Sequence, residues 1–283
     1  MNRLLPGVNK ILSSFIILVL LAGACGCGAL KLKKEKSLSI SVPCSIFAAF
    51  CEILDAYKKD NPGVKISFDT GNTIVLMRKV LYKGARPDVY IATGPLEIEP
   101  LIKNGLIAED GRAALTFDSV ILATPAGNPK NIQDISDLER SDVTSIAIPD
   151  PSTNSSGKFA IEALKKLNIW EKIKAKVIFT EFGRHTRNYI MEGKIDAGII
   201  YKSCLYEDLK AYEEVIAPKD IFVVKDLLKE TNTQIPSYIA ILKTSKNKAL
   251  AQEFVKYMFS EKARAVLKKW EGKEIIPCKV YSK

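Results

Sequence analysis

Small polar residues recur in this chain at one kind of place, where a short apolar run ends and a helical pattern begins. Ser45 follows Ser37–Val42, and Thr70-Gly71-Asn72-Thr73 follows Val64–Phe68. Asn154-Ser155-Ser156-Gly157 follows Ile146–Ile148, and Glu181-Phe182-Gly183-Arg184 follows Lys176–Phe179. A fifth run, Ala197-Gly198-Ile199-Ile200-Tyr201, ends in a phenol. The chemistry this pattern supports is the holding of an anion. The first turn of a helix has free N–H groups and a partial positive charge, and small residues let an oxyanion come close enough to use them. One such loop is an ordinary helix cap, the commonest use of Ser, Thr and Asn before a helix. Several of them at the ends of successive strands point to a ligand.

Groups for catalysis are scarce. An enzyme needs a nucleophile with a base, or a pair of carboxylates. His185 is the single histidine, with no partner at a useful spacing. Cys44, beside Ser45 at a helix start, could have a lowered pKa, but it reads better as a small core cysteine. No CxxC pair or histidine cluster suggests a metal site. Gly157-Lys158 matches the end of a phosphate loop, yet Ser152 stands where that loop has its first glycine and Phe159 follows in place of Ser or Thr. Arg184, His185 and Arg187 add positive charge near the fourth loop, and an organic acid would want an arginine clamp of that kind. Three classes therefore compete: a receptor for an inorganic oxyanion, a receptor of the same fold for phosphate, sulfate or an organic acid, and, more distantly, a cleft hydrolase.

The elements that would position these loops alternate. Helical spacing of apolar residues marks Ile46–Lys59, Ile74–Lys83, Pro95–Lys103, Thr186–Glu192, Lys248–Phe259 and Glu261–Lys269. Asp88–Ala92, Val120–Ala123, Ile221–Val224 and Ser237–Leu242 read as further strands. A strand–helix order repeated this often predicts an open α/β fold with mainly parallel sheets. Ligands of such sheets bind beyond the carboxyl ends of the strands, where the polar loops lie.

The apolar fraction of 47% suffices for real cores, and the net charge of +10 is dispersed, with one dense basic run at Lys31, Lys33, Lys34 and Lys36. A basic stripe with aromatic platforms is absent, so nucleic acid is not an expected partner. Residues 1–24 have the form of an export signal: Arg3 and Lys10, an apolar stretch from Ile11 to Leu21, then Ala22-Gly23-Ala24 before Cys25. This resembles a lipobox, with Cys25 the lipidated residue and Cys27 a second candidate. Residues 25–36 would be the tether, and one lipid with the basic run makes a two-part membrane anchor on the extracytoplasmic side. Cys44 and Cys51 would lie about 10 Å apart along a helix, too far for a disulfide; Cys204–Cys278 stays open.

From Leu38 to Pro277 the sequence resembles the molybdate- and tungstate-binding proteins of ABC transporters, within the type II periplasmic binding fold. The carriers are Ser45 after the first strand, GNTIVLMRKVLYKGARPDVYIAT (71–93), DPSTNSSGKFAIEALKKLNIW (150–170), KIDAGIIYKS (194–203), IPSYIAILKTSKN (235–247) and FVKYMFSEKARAVLKK (254–269). The resemblance implies two α/β lobes, lobe I from residues 37–118 and 221–283 and lobe II from 119–220, with the ligand cleft between them. It implies a tetrahedral oxyanion held by neutral donors of both lobes: Ser45 through hydroxyl and N–H, Ser156 and Gly183 through N–H, and Tyr201 through its phenol. The family's second serine in the first lobe is missing, and Thr70 or Asn72 would donate instead. It further implies a monomer that is not an enzyme, has no cofactor or resident metal, carries molybdate or tungstate as cargo, and hands it to ABC permease subunits.

Overall fold

The computed structural model describes residues 36–206 and 221–270. Cys25 and Cys27, the leader, residues 25–35 of the expected tether and Cys278 lie outside the described residues, while Lys36, the tether's last residue, already pairs in the first strand. The chain runs through β1 (Lys36–Pro43), a 3-10 turn at Cys44–Ile46, α1 (Phe47–Asp60), β2 (Val64–Gly71), α2 (Thr73–Tyr82) and β3 (Val89–Ala92). A 3-10 turn at Pro95–Glu97 and α3 (Glu99–Lys103) stand where a single helix was expected, since Pro95 and Pro100 each restart the backbone. Then come β4 (Arg112–Asp118), β5 (Val120–Pro125), a 3-10 turn at Ile135–Glu139, β6 (Ile146–Pro149), α4 (Ser155–Lys166) and α5 (Trp170–Ile173). They are followed by β7 (Val177–Thr180), α6 (Gly183–Met191), β8 (Ala197–Tyr201) and a 3-10 turn at Lys202–Tyr206. The described chain resumes with β9 (Ile221–Asp226), α7 (Leu227–Glu230), β10 (Ile235–Ile241), α8 (Lys248–Met258) and α9 (Glu261–Trp270).

Two five-stranded sheets form, in the orders β2-β1-β3-β10-β4 and β7-β6-β8-β5-β9. In each, four strands run the same way and one, β10 in the first sheet and β5 in the second, runs against them, so the expected mainly parallel sheets each carry one reversed strand. The first sheet is the heart of lobe I and the second of lobe II. Only Ser119 separates β4 from β5, so one extended segment pairs in both sheets and serves as a hinge strand. The expected return to lobe I at residue 221 is corrected. Ile221–Asp226 pairs with β5 in the second sheet, and the chain re-enters the first sheet only with β10. Hydrophobic patterning shows that a segment is a strand, but the partner it chooses is a long-range property.

Burial follows the helical and strand periods. In lobe I, Phe50, Ile53, Leu54 and Tyr57 of α1 face Leu38, Ile40 and Val42 of β1, with Phe254 of α8 set edge-on to Tyr57 at 5.1 Å. In lobe II, Ala160, Ala163 and Leu164 of α4 and Ile190 of α6 cover Ile146, Ile148, Ile199 and Ile200. An aspartate stands at the entrance of the middle strand of each lobe. Asp88, before β3, accepts from the Ser39 N–H and hydroxyl at 2.9 Å each and from the Ser245 hydroxyl at 2.6 Å. Burial works to raise its pKa, yet these bonds overcome that and hold the carboxyl below its ordinary value. Asp196, before β8, accepts from the N–H groups of Thr144 at 2.7 Å and Ser145 at 3.1 Å. Both carboxylates pin the start of a central strand to its parallel neighbour, so the opposite, carboxyl ends of the strands are set against one another in register.

Candidate functional site between the lobes

On the lobe I side, β1 and β2 pair in parallel with Val42 opposite Thr70 and Pro43 opposite Gly71. This register sets the turn holding Ser45 beside Thr70, at the carboxyl ends of adjacent strands. Thr73 follows as the first residue of α2. The hydroxyl oxygens of Ser45, Thr70 and Thr73 are all buried and make no hydrogen bond among the described residues. A buried polar group without a partner is uncommon and calls for an explanation, and three in one loop cluster are a strong sign of a polar ligand. Asn72 acts as the cap of α2, its side-chain oxygen accepting the Ile74 N–H at 2.9 Å. Sequence reading named Thr70 and Asn72 and passed over Thr73, because a threonine at a helix start carries no signal that separates a cap from a donor.

On the lobe II side, Asn154 caps α4: its oxygen accepts the Ser156 N–H at 3.0 Å and the Ser156 hydroxyl at 2.6 Å. The Ser156 N–H expected to face a ligand is thus engaged within its own cap. Ser155 points the other way, across the cleft. Its N–H donates to Glu97 at 2.9 Å, its hydroxyl donates to the other Glu97 oxygen, and the Leu96 N–H donates to that hydroxyl at 3.1 Å. Glu97 is fully buried, and desolvation pushes its carboxyl up to about 7, against the lowering effect of the Ser155 bonds. Neither Ser155 nor Glu97 was legible as a functional residue. Gly94, in the same lobe I loop, packs so closely that a Cβ there would lie 2.3 Å from the Ser155 Cβ.

Gly183 opens α6 after Phe182, which offers no side-chain cap, and it is buried with its Cα facing the Cys204 sulfur. Tyr201 closes β8, is 5% exposed, and donates its hydroxyl to the Thr93 carbonyl of lobe I at 2.5 Å. Burial raises its phenol pKa well above normal, and the Glu97 and Asp118 carboxylates add to that rise. The turn carrying Ser45 contacts the turn Lys202–Tyr206 that follows Tyr201, so the two lobes meet at the base of the cleft. Arg78 and Glu181 pair across its mouth at 3.4 Å. The arginines that would clamp an organic acid are otherwise occupied in part: Arg187 donates to the Cys204 carbonyl at 3.3 Å, while His185 packs on Phe182 at 5.2 Å. A cavity of about 470 Å³ lies at the hinge between Ser45, Phe117, Lys202, Lys229 and Trp270. Of the six residues assigned to the anion, only Ser45 lines it.

Comparison with known proteins bears on this geometry. A family described as bacterial extracellular solute-binding protein matches residues 38–270. A putative ABC transporter substrate-binding lipoprotein of Bacillus subtilis is 26% identical over 219 residues, 77% of this chain and 79% of that one. A molybdate-binding protein of Haemophilus influenzae is 24% identical over 226 residues, 79% of this chain and 84% of its own. Among solved structures, the substrate binding domain of a putative molybdenum ABC transporter from Clostridium difficile superposes with a TM-score of 0.62 at 24% identity, covering 83% of this chain and 97% of that one.

Proposed function

The chain belongs to the bacterial extracellular solute-binding proteins, and from that premise we propose that it captures a tetrahedral oxyanion, molybdate or tungstate, between its lobes for an ABC importer. The observation that carries this reading is the set of three buried hydroxyls, Ser45, Thr70 and Thr73, that have no partner among the described residues. Ser45 and Thr70 follow or end adjacent parallel strands, Thr73 opens the next helix, and none carries a charge. Neutral donors in a closed, water-poor cleft favour a fully deprotonated small dianion, chosen by size and donor number rather than by counter-charge. Gly183 would give the uncapped N–H at the start of α6, Tyr201 its phenol, and Ser156 and Asn72 would orient the two capped helix ends. The Bacillus and Haemophilus relatives support transport and molybdate respectively.

Calorimetric titration with molybdate, tungstate, sulfate and phosphate tests the reading. Tight binding of the first two and weak binding of sulfate is the expected result; no heat with any of the four would move an organic anion to first place. Tyr201→Phe should weaken molybdate by about 1.5–3 kcal/mol, the worth of a hydrogen bond to a charged acceptor. That requires the phenol to leave the Thr93 carbonyl for the ligand, which a dianion's stronger pull on a donor allows. Unchanged affinity would remove Tyr201 from the site. The lipid anchor belongs to the same proposal: Cys25→Ser is expected to shift the chain from the membrane fraction to the soluble one, and a variant that stays with membranes would point to Cys27.

A further inference from the structure

We propose that Glu97 is the proton acceptor of ligand capture, so that the cleft closes over its dianion together with one proton from solvent. The inference rests on the oxyanion reading above. Glu97 belongs to lobe I, but both of its carboxylate oxygens are bonded to Ser155 of lobe II. Its complete burial therefore exists only while the lobes are together. No ion pair among the described residues engages it. The ionisable groups that face it are Tyr90 of β3, whose hydroxyl donates to the Glu97 backbone carbonyl at 3.3 Å, and Tyr201 of β8, with Asp118 and Cys204 next beyond Tyr201. The charges on the remaining neighbouring elements are engaged or turned outward. On α2, Arg78 pairs with Glu181 and Lys79 with Asp69. On α4, Lys158 is exposed; on α3, Glu99 is half-buried and Lys103 exposed; and Tyr238 of β10 lies under Arg112.

An open, hydrated Glu97 is ionised at neutral pH. Closure strips its water and already brings its carboxyl to about 7. A dianion bound by Tyr201 and the start of α4 adds like charge in the same low-dielectric space, which raises it further. The proton also has a structural use. In the ionised state the Ser155 hydroxyl spends its hydrogen on Glu97. Once that carboxyl oxygen is protonated it donates to the Ser155 oxygen, and the serine hydrogen is released to turn toward the ligand beside Tyr201, against which Ser155 lies. The Ser155 N–H keeps its carboxyl acceptor throughout. Protonation of one acid thus removes a repelling charge and adds a donor.

The test is calorimetric titration of the full-length chain with molybdate at pH 7, run in two buffers of different ionisation enthalpy. The wild type is expected to take up close to one proton per molybdate, and Glu97→Gln, which keeps the shape and cannot ionise, close to none. The wild-type affinity should fall by up to about tenfold per pH unit above neutrality while Glu97→Gln stays flat. Binding without proton uptake in the wild type, or uptake unchanged in Glu97→Gln, would overturn the proposal and leave the oxyanion reading standing. A folded chain that binds none of the oxyanions would overturn both. If Glu97→Gln does not fold, Ser155→Ala decides in its place: Ser155 bonds Glu97 while Ser203 bonds the other buried carboxyl, Asp118, so a protonated-carboxyl infrared band that molybdate produces in the wild type and that shifts in Ser155→Ala supports the proposal, and no band, or one that stays in place, overturns it.

Discussion

A Gly94→Ala chain should keep both lobes folded and close on its ligand much less readily. The backbone at Gly94 is extended (φ 165°, ψ 173°), a conformation any residue adopts, so the substitution carries no intrinsic strain. The obstacle is the other lobe. A Cβ at this position would lie 2.3 Å from both the Cβ and the hydroxyl of Ser155 and 2.6 Å from a Glu97 carboxylate oxygen. Ser155 cannot yield by a rotamer change, because its Cβ is fixed to the first turn of α4. The cheaper response is for the hinge to open. Overpacking of this kind costs about 1–3 kcal/mol. Placed on the closed state alone, this lowers the apparent affinity by roughly 5- to 160-fold, since only the closed fraction binds. The check is twofold: in small-angle scattering the compaction produced by molybdate should need a correspondingly higher concentration than in the wild type, while the unfolding midpoint stays at the wild-type value. Adding Ser155→Gly should restore part of the closure by removing the atoms that clash. Full affinity in Gly94→Ala would mean that the lobes close by another path.

Much of this arrangement was legible, and the rest was hidden for definable reasons. The unit from Ile146 to Leu167 could be read as strand, loop and helix because proline, small polar residues and a 3.6-residue apolar repeat are local signals. Ser45 and Thr70 could be placed at strand ends for the same reason, and the parallel register sets them side by side. Glu97 could not be found. It sits in a 3-10 turn with no periodicity, and what makes it unusual is a partner 58 residues away. Ser155 and Ser156 look alike in sequence, yet one helical step of about 100° turns the first toward the opposite lobe and leaves the second in its own cap. The assignment of Ile221–Asp226 failed because an alternating strand announces its faces and not its neighbour; β5 claimed it, with a bulge between Leu122 and Ala123.

Local reasoning also gives the wrong sign at Gly157. Glycine within a helix costs about 1 kcal/mol relative to alanine, partly through the freedom it has when unfolded, so Gly157→Ala in α4 looks stabilising from the sequence. The structure reverses this. A Cβ on Gly157 would lie 1.9 Å from the Pro149 carbonyl oxygen and 2.7 Å from its carbon. Both are backbone atoms at the end of β6, and the next residue is tied to β7 by the Asp150 N–H to Thr180 carbonyl bond at 2.8 Å. β6 lies between β7 and β8 and cannot retreat, so α4 must lift from the sheet and uncover Ala160, Ala163 and Leu164. The expected loss is on the order of 4 kcal/mol, well above the propensity gain. The two tryptophans make this measurable lobe by lobe, because Trp170 packs on the lobe II core and Trp270 on that of lobe I. In chains keeping one tryptophan at a time, Gly157→Ala should move the urea transition seen by Trp170 to lower concentration and leave that of Trp270 nearly in place. A rise in the Trp170 midpoint would show that helix propensity outweighs the close approach, and that α4 is not held against the strand end as tightly as its glycine implies. The same contact brings the start of α4 within reach of Glu97, so a residue with no side chain of its own sets where the helix presents Ser155 to the other lobe.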